Sequence, residues 1–351
     1  MSYEHGMMAL RLEMPPRVPR TEFSIESHWA VVKAVTGMDV NENSPQQLRS
    51  EASRAFVKAW NYDFIWCTII GGGELSAKRT SMGHAVYAAG GVDYDTNISS
   101  AFTDPEDVFA LDIEATYPHE PKGSLIKRFE DSWRSIRETH DAAPTTGVYI
   151  TQMSGMIDML GWDLLLMCAG LDPDRFGRFL GRYTDWVKFY FEALAESDVP
   201  TVMIHDDMVW TEGAFIHPDW YRRYLFPNLK KLLSPLREAG KIIAFTSDGS
   251  YTEFIDDIAG CGVHGFVLEP ITDMRAVAER YGKTHFFIGN ADTNVLLFGS
   301  REDIEAEVKR CMDIGKKCPG FFMAVGNHIP PNTPVDSCLF YNEVYERMSR
   351  R

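Results

Sequence analysis

The chain has 351 residues, of which 45% are hydrophobic and 12% aromatic, a composition that excludes intrinsic disorder and allows a large packed core. Its formal net charge of -15 excludes nucleic acid and an anionic membrane as main partners, because both require a basic surface. Small molecules or another protein remain as the candidate partners.

Six cysteines are spread along the chain without a CxxC pair, as is typical of free thiols in a reducing compartment. The N-terminus has charged and small polar residues where a signal peptide would need an apolar segment. No apolar run approaches the roughly 20 residues that span a bilayer. We therefore expect a cytoplasmic protein.

Short apolar runs rich in β-branched and aromatic residues alternate with longer segments of helical periodicity, as in parallel strands joined by helices. Eight runs predict strands, at residues 20–25, 63–69, 147–152, 201–206, 242–247, 265–269, 285–290 and 321–327. Because they are apolar throughout, they fit a closed sheet whose two faces are both buried. The expected fold is α/β, a single (β/α)8 TIM-type barrel over residues 1–351, with an open doubly wound sheet as the alternative.

Three segments between these runs carry helix signals. Residues 44–60 and 217–240 each have a proline near the first turn, and residues 300–315 open with a serine cap followed by acids. Residues 70–140 are rich in Gly, Asp and aromatic side chains and fit neither pattern. They predict an insertion in the N-terminal half with its own hairpin, which could cap the barrel mouth or dock a partner.

Polar side chains follow each of the last five predicted strands. In chain order they are His205, Asp206, Asp207, Asp248, Glu269, Asn290, Asp292, Asn327 and His328. Barrel enzymes place their chemistry at this rim. Because side chains alternate along a strand, His205 and Asp207 share a face and Asp206 points elsewhere.

Each of these residues also has an ordinary structural explanation. One Asp of the pair at 206–207 could cap a helix or turn, and Asp248 precedes a glycine in a common turn pattern. Asn290 and Asn327 lie in glycine-containing loops, where Asn can bond to its own chain. Five successive polar strand ends nevertheless exceed what capping requires, which favours function.

Aromatic side chains at or near strand ends suggest how a substrate is held. Phe23, Trp66 and Trp210 are predicted to floor an aromatic pocket, with Asn290 and Asn327 as further substrate-binding candidates. The glycines at 71–73 lack the strand, the spacing and the acid of a dinucleotide site, so they predict a turn.

The motifs of the C-terminal half occur in an order that resembles the uroporphyrinogen decarboxylase superfamily. They read IHDDMVW (204–210), FTSDGS (245–250), FVLEP (266–270), GNADTN (289–294) and GNHIPP (326–331). The resemblance is good from about residue 200 to the end and poor over residues 1–140. It implies the same barrel.

Two departures from the superfamily narrow the function that the resemblance implies. True decarboxylases carry an N-terminal RQAGR-like stretch, whose arginines hold substrate carboxylates, and an Asp after the second strand, where this chain has Ile70. Methyltransferases that act on thiols bind zinc through an HxC motif and a later Cys, and the matching residues here are Thr246, Asp248 and Asn327. Porphyrinogen decarboxylation and thiol methylation are therefore both disfavoured.

The remaining resemblance is to the methyltransferase component of anaerobic O-demethylases, which passes a methyl group from a methyl ether to the cobalt of a separate corrinoid protein. It implies a small-molecule methyl donor, with methoxylated aromatics as the leading class, and a corrinoid protein as partner. The chain lacks the cobalamin-binding DxHxxG signature, so the corrinoid should arrive on that partner.

Expelling an alkoxide or phenolate requires a Lewis acid or a proton donor on the ether oxygen. The candidate catalytic residues are His205, Asp206, Asp207, Asp248, Glu269 and His328. Zinc could bind His205, Asp207, Asp248, Glu269 and His328. Alternatively, one of the adjacent acids Asp206 and Asp207 stays protonated as the donor. The sequence leaves both possibilities open.

Two other functions are alternatives. The barrel could be a decarboxylase or lyase of a different acidic substrate, with Arg17, Arg20 and Arg275 as the nearest cations to hold a carboxylate. It could also carry a corrinoid or tetrapyrrole without chemistry.

Overall fold

A computed structural model gives the fold, and it describes residues 1–81, 86–88, 91–93 and 99–351. The strands are β1 (Phe64–Ile65), β2 (Val86–Ala88), β3 (Gly91–Asp93), β4 (Ala143–Pro144), β5 (Thr146–Val148), β6 (Thr201–His205), β7 (Val209–Trp210), β8 (Gly213–Ala214), β9 (Ile242–Thr246), β10 (Gly265–Val267), β11 (Phe286–Ala291) and β12 (Phe321–Val325). The α-helices are α1 (Tyr3–Leu10), α2 (Trp29–Thr36), α3 (Gln46–Ala59), α4 (Pro105–Ala110), α5 (Ile113–Thr116), α6 (Lys122–Thr139), α7 (Met153–Leu171), α8 (Pro173–Glu196), α9 (Pro218–Trp220), α10 (Phe226–Glu238), α11 (Ile255–Cys261), α12 (Met274–Tyr281), α13 (Thr293–Phe298), α14 (Arg301–Gly315) and α15 (Val335–Met348).

The central sheet is parallel and has the strand order β12-β11-β10-β9-β6-β5. Beyond β5, β1 pairs with β4, and Ile70 bridges to Val148. At the other edge, Arg20 pairs in parallel with Met323 of β12, and the backbone N–H of Asp63 donates to the Arg20 carbonyl at 2.9 Å. These links close the sheet, so the chain forms the predicted (β/α)8 barrel.

The three N-terminal strand predictions are inaccurate. Of residues 20–25 only Arg20 pairs, because Ser24 has a left-handed backbone (φ 57°) and a 3-10 helix begins at Ile25. The strand predicted at 63–69 shortens to β1, and the one predicted at 147–152 begins earlier, as β4 and β5.

The other five predicted strands are confirmed within a few residues as β6, β9, β10, β11 and β12. The three predicted helices are also confirmed. Residues 217–240 run as α9 and α10 with a π-helical turn at Tyr221–Leu225 between them, and α14 begins with a capping box between Ser300 and Asp303.

The segment 70–140, predicted as an insertion, contains both a hairpin and a helix that packs on the sheet. In it, β2 and β3 pair antiparallel as the expected hairpin, while α6 packs against β4 and β5 as a helix of the barrel. The role of the insertion as a cap or docking element stays a prediction, and residues 82–85, 89–90 and 94–98 lie outside the described residues.

Helix α7 contradicts the expectation that no apolar segment approaches the length of a membrane span. This 19-residue helix is long and apolar enough by length and composition, although 56% of its most apolar window is buried inside the protein. Burial of this kind is what a core helix shows.

The barrel interior is filled by side chains, including Phe64, Met203 and Phe322. Helix α1 adds Met7 and Leu10 to this cluster and lies against the start of β1. Gly6 packs so close to the Asp63 carbonyl there that a Cβ atom would lie 2.1 Å from its oxygen. The amino end of the barrel is therefore covered, and the carboxyl end is left for a site.

Candidate active site

His205 and Asp207 form a close pair at the carboxyl end of β6. His205 Nε2 lies 2.7 Å from Asp207 Oδ1, and both side chains are largely buried, with 19% and 17% of their surface exposed. The two residues share a face, as the alternation along the strand predicts.

Three further donors hold the Asp207 carboxylate. The Tyr149 hydroxyl donates to Oδ2 at 3.1 Å, the Ser154 hydroxyl donates to the same oxygen at 3.2 Å, and the backbone N–H of Asp248 donates to Oδ1 at 3.0 Å. The Tyr149 ring also lies edge-on to His205, with centroids 4.4 Å apart. The pair is thus fixed in position before any ligand binds.

The His205–Asp207 pair is charged. Burial lowers the pKa of His205, but the charge of Asp207 outweighs burial and raises that pKa to about 9. Burial likewise opposes ionisation of Asp207, yet His205 and the surrounding donors bring the pKa of Asp207 down to about 2. Asp207 is therefore ionised and is not the protonated donor that the sequence allowed for one of Asp206 and Asp207.

Asp248 completes a cluster with this pair. Its Oδ1 lies 3.9 Å from His205 Nε2, and 63% of its side chain is exposed at the barrel mouth. Partial burial and the charge of Asp207 raise the pKa of Asp248 to about 6.

Asp206 does not join the cluster. It is fully buried, and its Oδ1 accepts the backbone N–H groups of Met153 and Ser154 at 2.6 and 3.0 Å, which caps the start of α7. Burial raises the pKa of Asp206 to about 7. The structure therefore corrects the catalytic assignment of Asp206, which serves a helix terminus.

Glu269 and Asn327 face each other from the ends of β10 and β12, which flank β11. The Asn327 side-chain amide donates to Glu269 Oε1. Burial and the charge of Asp248 raise the pKa of Glu269 to about 8, so this half-buried acid is protonated at neutral pH. His328 is exposed, with its Nδ1 2.8 Å from Ser24 Oγ.

Asn290 is misassigned as a substrate-binding residue. Its side chain is buried, and its amide nitrogen donates to the carbonyls of Glu269 and Thr272, both at 3.1 Å. Its amide oxygen accepts from Arg310 at 3.0 Å. These bonds tie the end of β11 to the loop after β10 and to α14, so the side chain of Asn290 is used within the protein.

The aromatic floor is divided in two. Phe23 and Trp66 stack at 4.2 Å, and Phe23 lies edge-on to His328 at 6.1 Å. Trp210 instead packs with Trp162 and Phe215 beside the β7–β8 hairpin, with 47% of its surface exposed. The Phe23–Trp66 pair lies near His328 and Trp210 packs elsewhere, so the structure does not bring the three rings predicted as one floor into contact.

A family model described as uroporphyrinogen decarboxylase (URO-D) matches residues 81–347. The chain belongs to this family. The match spans the whole barrel from the insertion onward, including every polar strand end of the rim.

Curated URO-D relatives and one solved structure are similar to this chain. A uroporphyrinogen decarboxylase of Syntrophotalea carbinolica is 27% identical over 69% of this chain and 70% of its own length, and one of Pelobacter propionicus is 23% identical over 59% and 58%. A methyltransferase from Methanosarcina mazei superposes with a TM-score of 0.67 over 99% of both chains at 18% identity. At that identity the superposition shows a shared fold.

Some URO-D relatives that act as methyltransferases are expected to carry zinc, and part of this rim suits the ion. His205, Asp207 and Asp248 each offer one atom, and these atoms lie within 4.8 Å of one another. Three nitrogen and oxygen ligands with a fourth position open is the arrangement of catalytic zinc. Glu269 and His328 lie outside this group, so the five-ligand set predicted from sequence reduces to three.

Sequence reasoning missed two residues of this URO-D rim, Tyr149 and Ser154. Tyr149 falls inside a predicted strand, at 147–152, and its position just past β5 could have marked it as a rim residue. Ser154 gave no such signal, because only the packing of the start of α7 under β6 brings its hydroxyl to Asp207.

Glu269 gives the URO-D rim a testable pH dependence. Because its folded pKa of about 8 lies above its usual 4.5, its contribution to stability is largest below pH 4.5 and is lost as the pH rises through 8. In Glu269→Gln this titration is absent, so Tm should fall less between about pH 5 and pH 8 than in the wild type. Parallel Tm profiles of the two proteins would contradict the shift.

Proposed function

We propose that this chain is a cytoplasmic methyltransferase that passes a methyl group from a methylated small molecule, with methoxylated aromatics as the leading class, to the cobalt(I) corrinoid of a partner protein. The observation that carries the proposal is the charge of the rim. Asp207 and Asp248 lie beside His205, Glu269 is close enough to Asp248 for that charge to raise its pKa, and no arginine contacts these three acids among the described residues.

The three arginines considered for holding a carboxylate serve elsewhere. Arg17 pairs with buried Asp63 at 2.7 Å, and Arg20 is fully buried against Glu22 at 2.8 Å. Arg275 lies exposed on α12. A polycarboxylate substrate would therefore meet carboxylates without the guanidinium partners that usually bind it, whereas an uncharged ether would not be repelled.

The chain's own residues can bind and activate such a donor. The Phe23–Trp66 stack offers an aromatic wall near the rim, and His205 and Asp207 are held rigidly by Tyr149 and Ser154. Glu269 is the protonated acid of the rim, because burial and the charge of Asp248 outweigh its bonds from Asn327 and the Gly249 backbone and raise its pKa to about 8, and we assign it as the donor to the departing oxygen. Zinc held by His205, Asp207 and Asp248 would act as a Lewis acid on that oxygen.

The test is an anaerobic incubation of the purified protein with a reduced corrinoid protein and a panel of methoxylated aromatics. The absorption of cobalt(I) should convert to that of methyl-cobalt(III) only when protein and donor are both present. Loss of conversion in Glu269→Gln, with full conversion in Glu279→Gln on the exposed face of α12, would support the assigned donor.

The second candidate is a carboxy-lyase, and the names of the curated relatives favour it. The same protein is incubated with uroporphyrinogen and with a panel of small acidic substrates, and carbon dioxide is measured. Release of carbon dioxide without any methyl-cobalt signal would replace the methyltransferase proposal.

A further inference from the structure

A cavity of about 570 Å³ lies outside the barrel, between α3, α6 and the residues around β1. Its volume is in the range of small-molecule pockets, about 300–1,000 Å³. Arg49, Tyr62 and Trp66 line it, whereas His205, Asp207 and Asp248 do not. It is therefore a site candidate distinct from the His205–Asp207–Asp248 cluster, although it shares Trp66 with the aromatic wall near His328.

Two guanidinium groups face this cavity without a partner. Arg49 and Arg54 of α3 both line it, and neither guanidinium forms a hydrogen bond or an ion pair with any described residue. Several other arginines of this acidic chain are paired, such as Arg175 with Glu106 and Arg128 with Glu74. Two unpaired cations on one wall of a cavity create a local attraction for an anion.

Buried donors around the cavity also lack acceptors. The Tyr62 hydroxyl and the Trp66 indole N–H have no hydrogen-bond partner in the described residues, and Tyr62 is only 2% exposed. Buried polar groups are normally satisfied, so such a cluster needs an explanation. A carboxylate, which accepts through two oxygens, would satisfy several of these donors at once.

The acids of the cavity do not oppose an anion strongly. Glu22 is neutralised by its ion pair with Arg20, and burial raises the pKa of Glu26, whose Oε2 also lacks a partner. The carboxyl groups of Glu22 and Glu26 still lie close to the cavity and would disfavour a ligand with two negative charges, so a ligand with one negative charge fits best.

Aromatic walls define the rest of the ligand. The indoles of Trp29 and Trp66 both line the cavity, and such rings favour a flat, apolar body. We propose that this cavity is a second binding site, which takes a small aromatic monocarboxylate with its carboxylate toward Arg49 and Arg54 and its ring between the indoles.

Isothermal titration of the full-length protein tests the site with benzoate as the probe. We expect one benzoate per chain, affinity at least tenfold weaker in Arg49→Gln/Arg54→Gln, and unchanged affinity in Arg178→Gln, which removes an exposed arginine of α8. Asp207→Asn should bind benzoate like the wild type, which separates this cavity from the rim.

Tyr62→Phe gives a finer test, because it removes only a hydroxyl that has no partner. It should weaken benzoate binding while leaving Tm equal to or above that of the wild type, since a buried unsatisfied group is lost. The proposal is overturned by the absence of benzoate binding, by unchanged affinity in the double arginine variant, or by loss of binding in Asp207→Asn. Inorganic phosphate or benzyl alcohol binding as tightly as benzoate would also overturn the ligand class.

Discussion

Asp207→Asn should reduce methyl transfer by about 10²- to 10⁴-fold while the protein stays folded. Without a metal, the Asp207 carboxylate holds His205 at 2.7 Å and keeps it cationic. Zinc would displace that proton, and Asp207 would then be one of its three candidate ligands. An asparagine retains the shape and one acceptor oxygen, so Tyr149 and Ser154 keep hydroxyl partners. Corrinoid methylation rates and urea unfolding of both proteins measure the two effects.

The chain contains its own control for this change. His217 and Asp219 repeat the His-x-Asp spacing on the surface, 3.7 Å apart and with 77% and 83% of their side chains exposed. Asp219→Asn should leave transfer unchanged. In Asp207→Asn, NMR titration should show the pKa of His205 falling below 9, because burial then acts without the carboxylate that offset it. A normal rate together with an unchanged His205 titration would contradict both roles.

The barrel was predictable from sequence because its C-terminal strands form continuous apolar runs. A strand that is buried on both faces is apolar along its whole length. This pattern occurs in β6, β9, β10, β11 and β12. The first strand could not be predicted in detail, since a single pair, Arg20 with Met323, replaces a ladder there. Contacts between residues more than 300 positions apart determine which residue of this segment pairs with β12. A local sequence pattern cannot predict such contacts.

The rim was predictable in its members more than in their roles. Strand alternation correctly separates Asp206 from His205 and Asp207. That Asp206 caps α7, and that Asn290 bridges Glu269 and Thr272, depends on chain segments that meet only in the fold. The protonation states have the same origin, because the burial and neighbours that make Glu269 neutral and Asp207 charged are tertiary properties.

Arg20→Met should destabilise the protein by about 3–5 kcal/mol, the cost of leaving a buried charge without its partner. Arg20 is fully buried between Trp60 and Tyr345, and Nη2 donates to Glu22 at 2.8 Å. Methionine fills much of the space but leaves the Glu22 carboxyl in an apolar setting, where burial raises its pKa further. The free energy of urea unfolding at neutral pH measures the loss.

Two comparisons separate the ion pair from the packing around it. Lys33→Met breaks the Lys33–Asp39 pair, whose side chains are 58% and 89% exposed, and should change stability little. Glu22→Gln in the Arg20→Met background should recover much of the loss, because an amide oxygen in place of Oε2 can still accept from Val325 N–H and the amide nitrogen in place of Oε1 can donate to the Tyr341 hydroxyl. Barrel closure at this edge uses the backbone of Arg20, which methionine keeps, so a small effect of Arg20→Met would mean that backbone pairing alone holds the first strand in place.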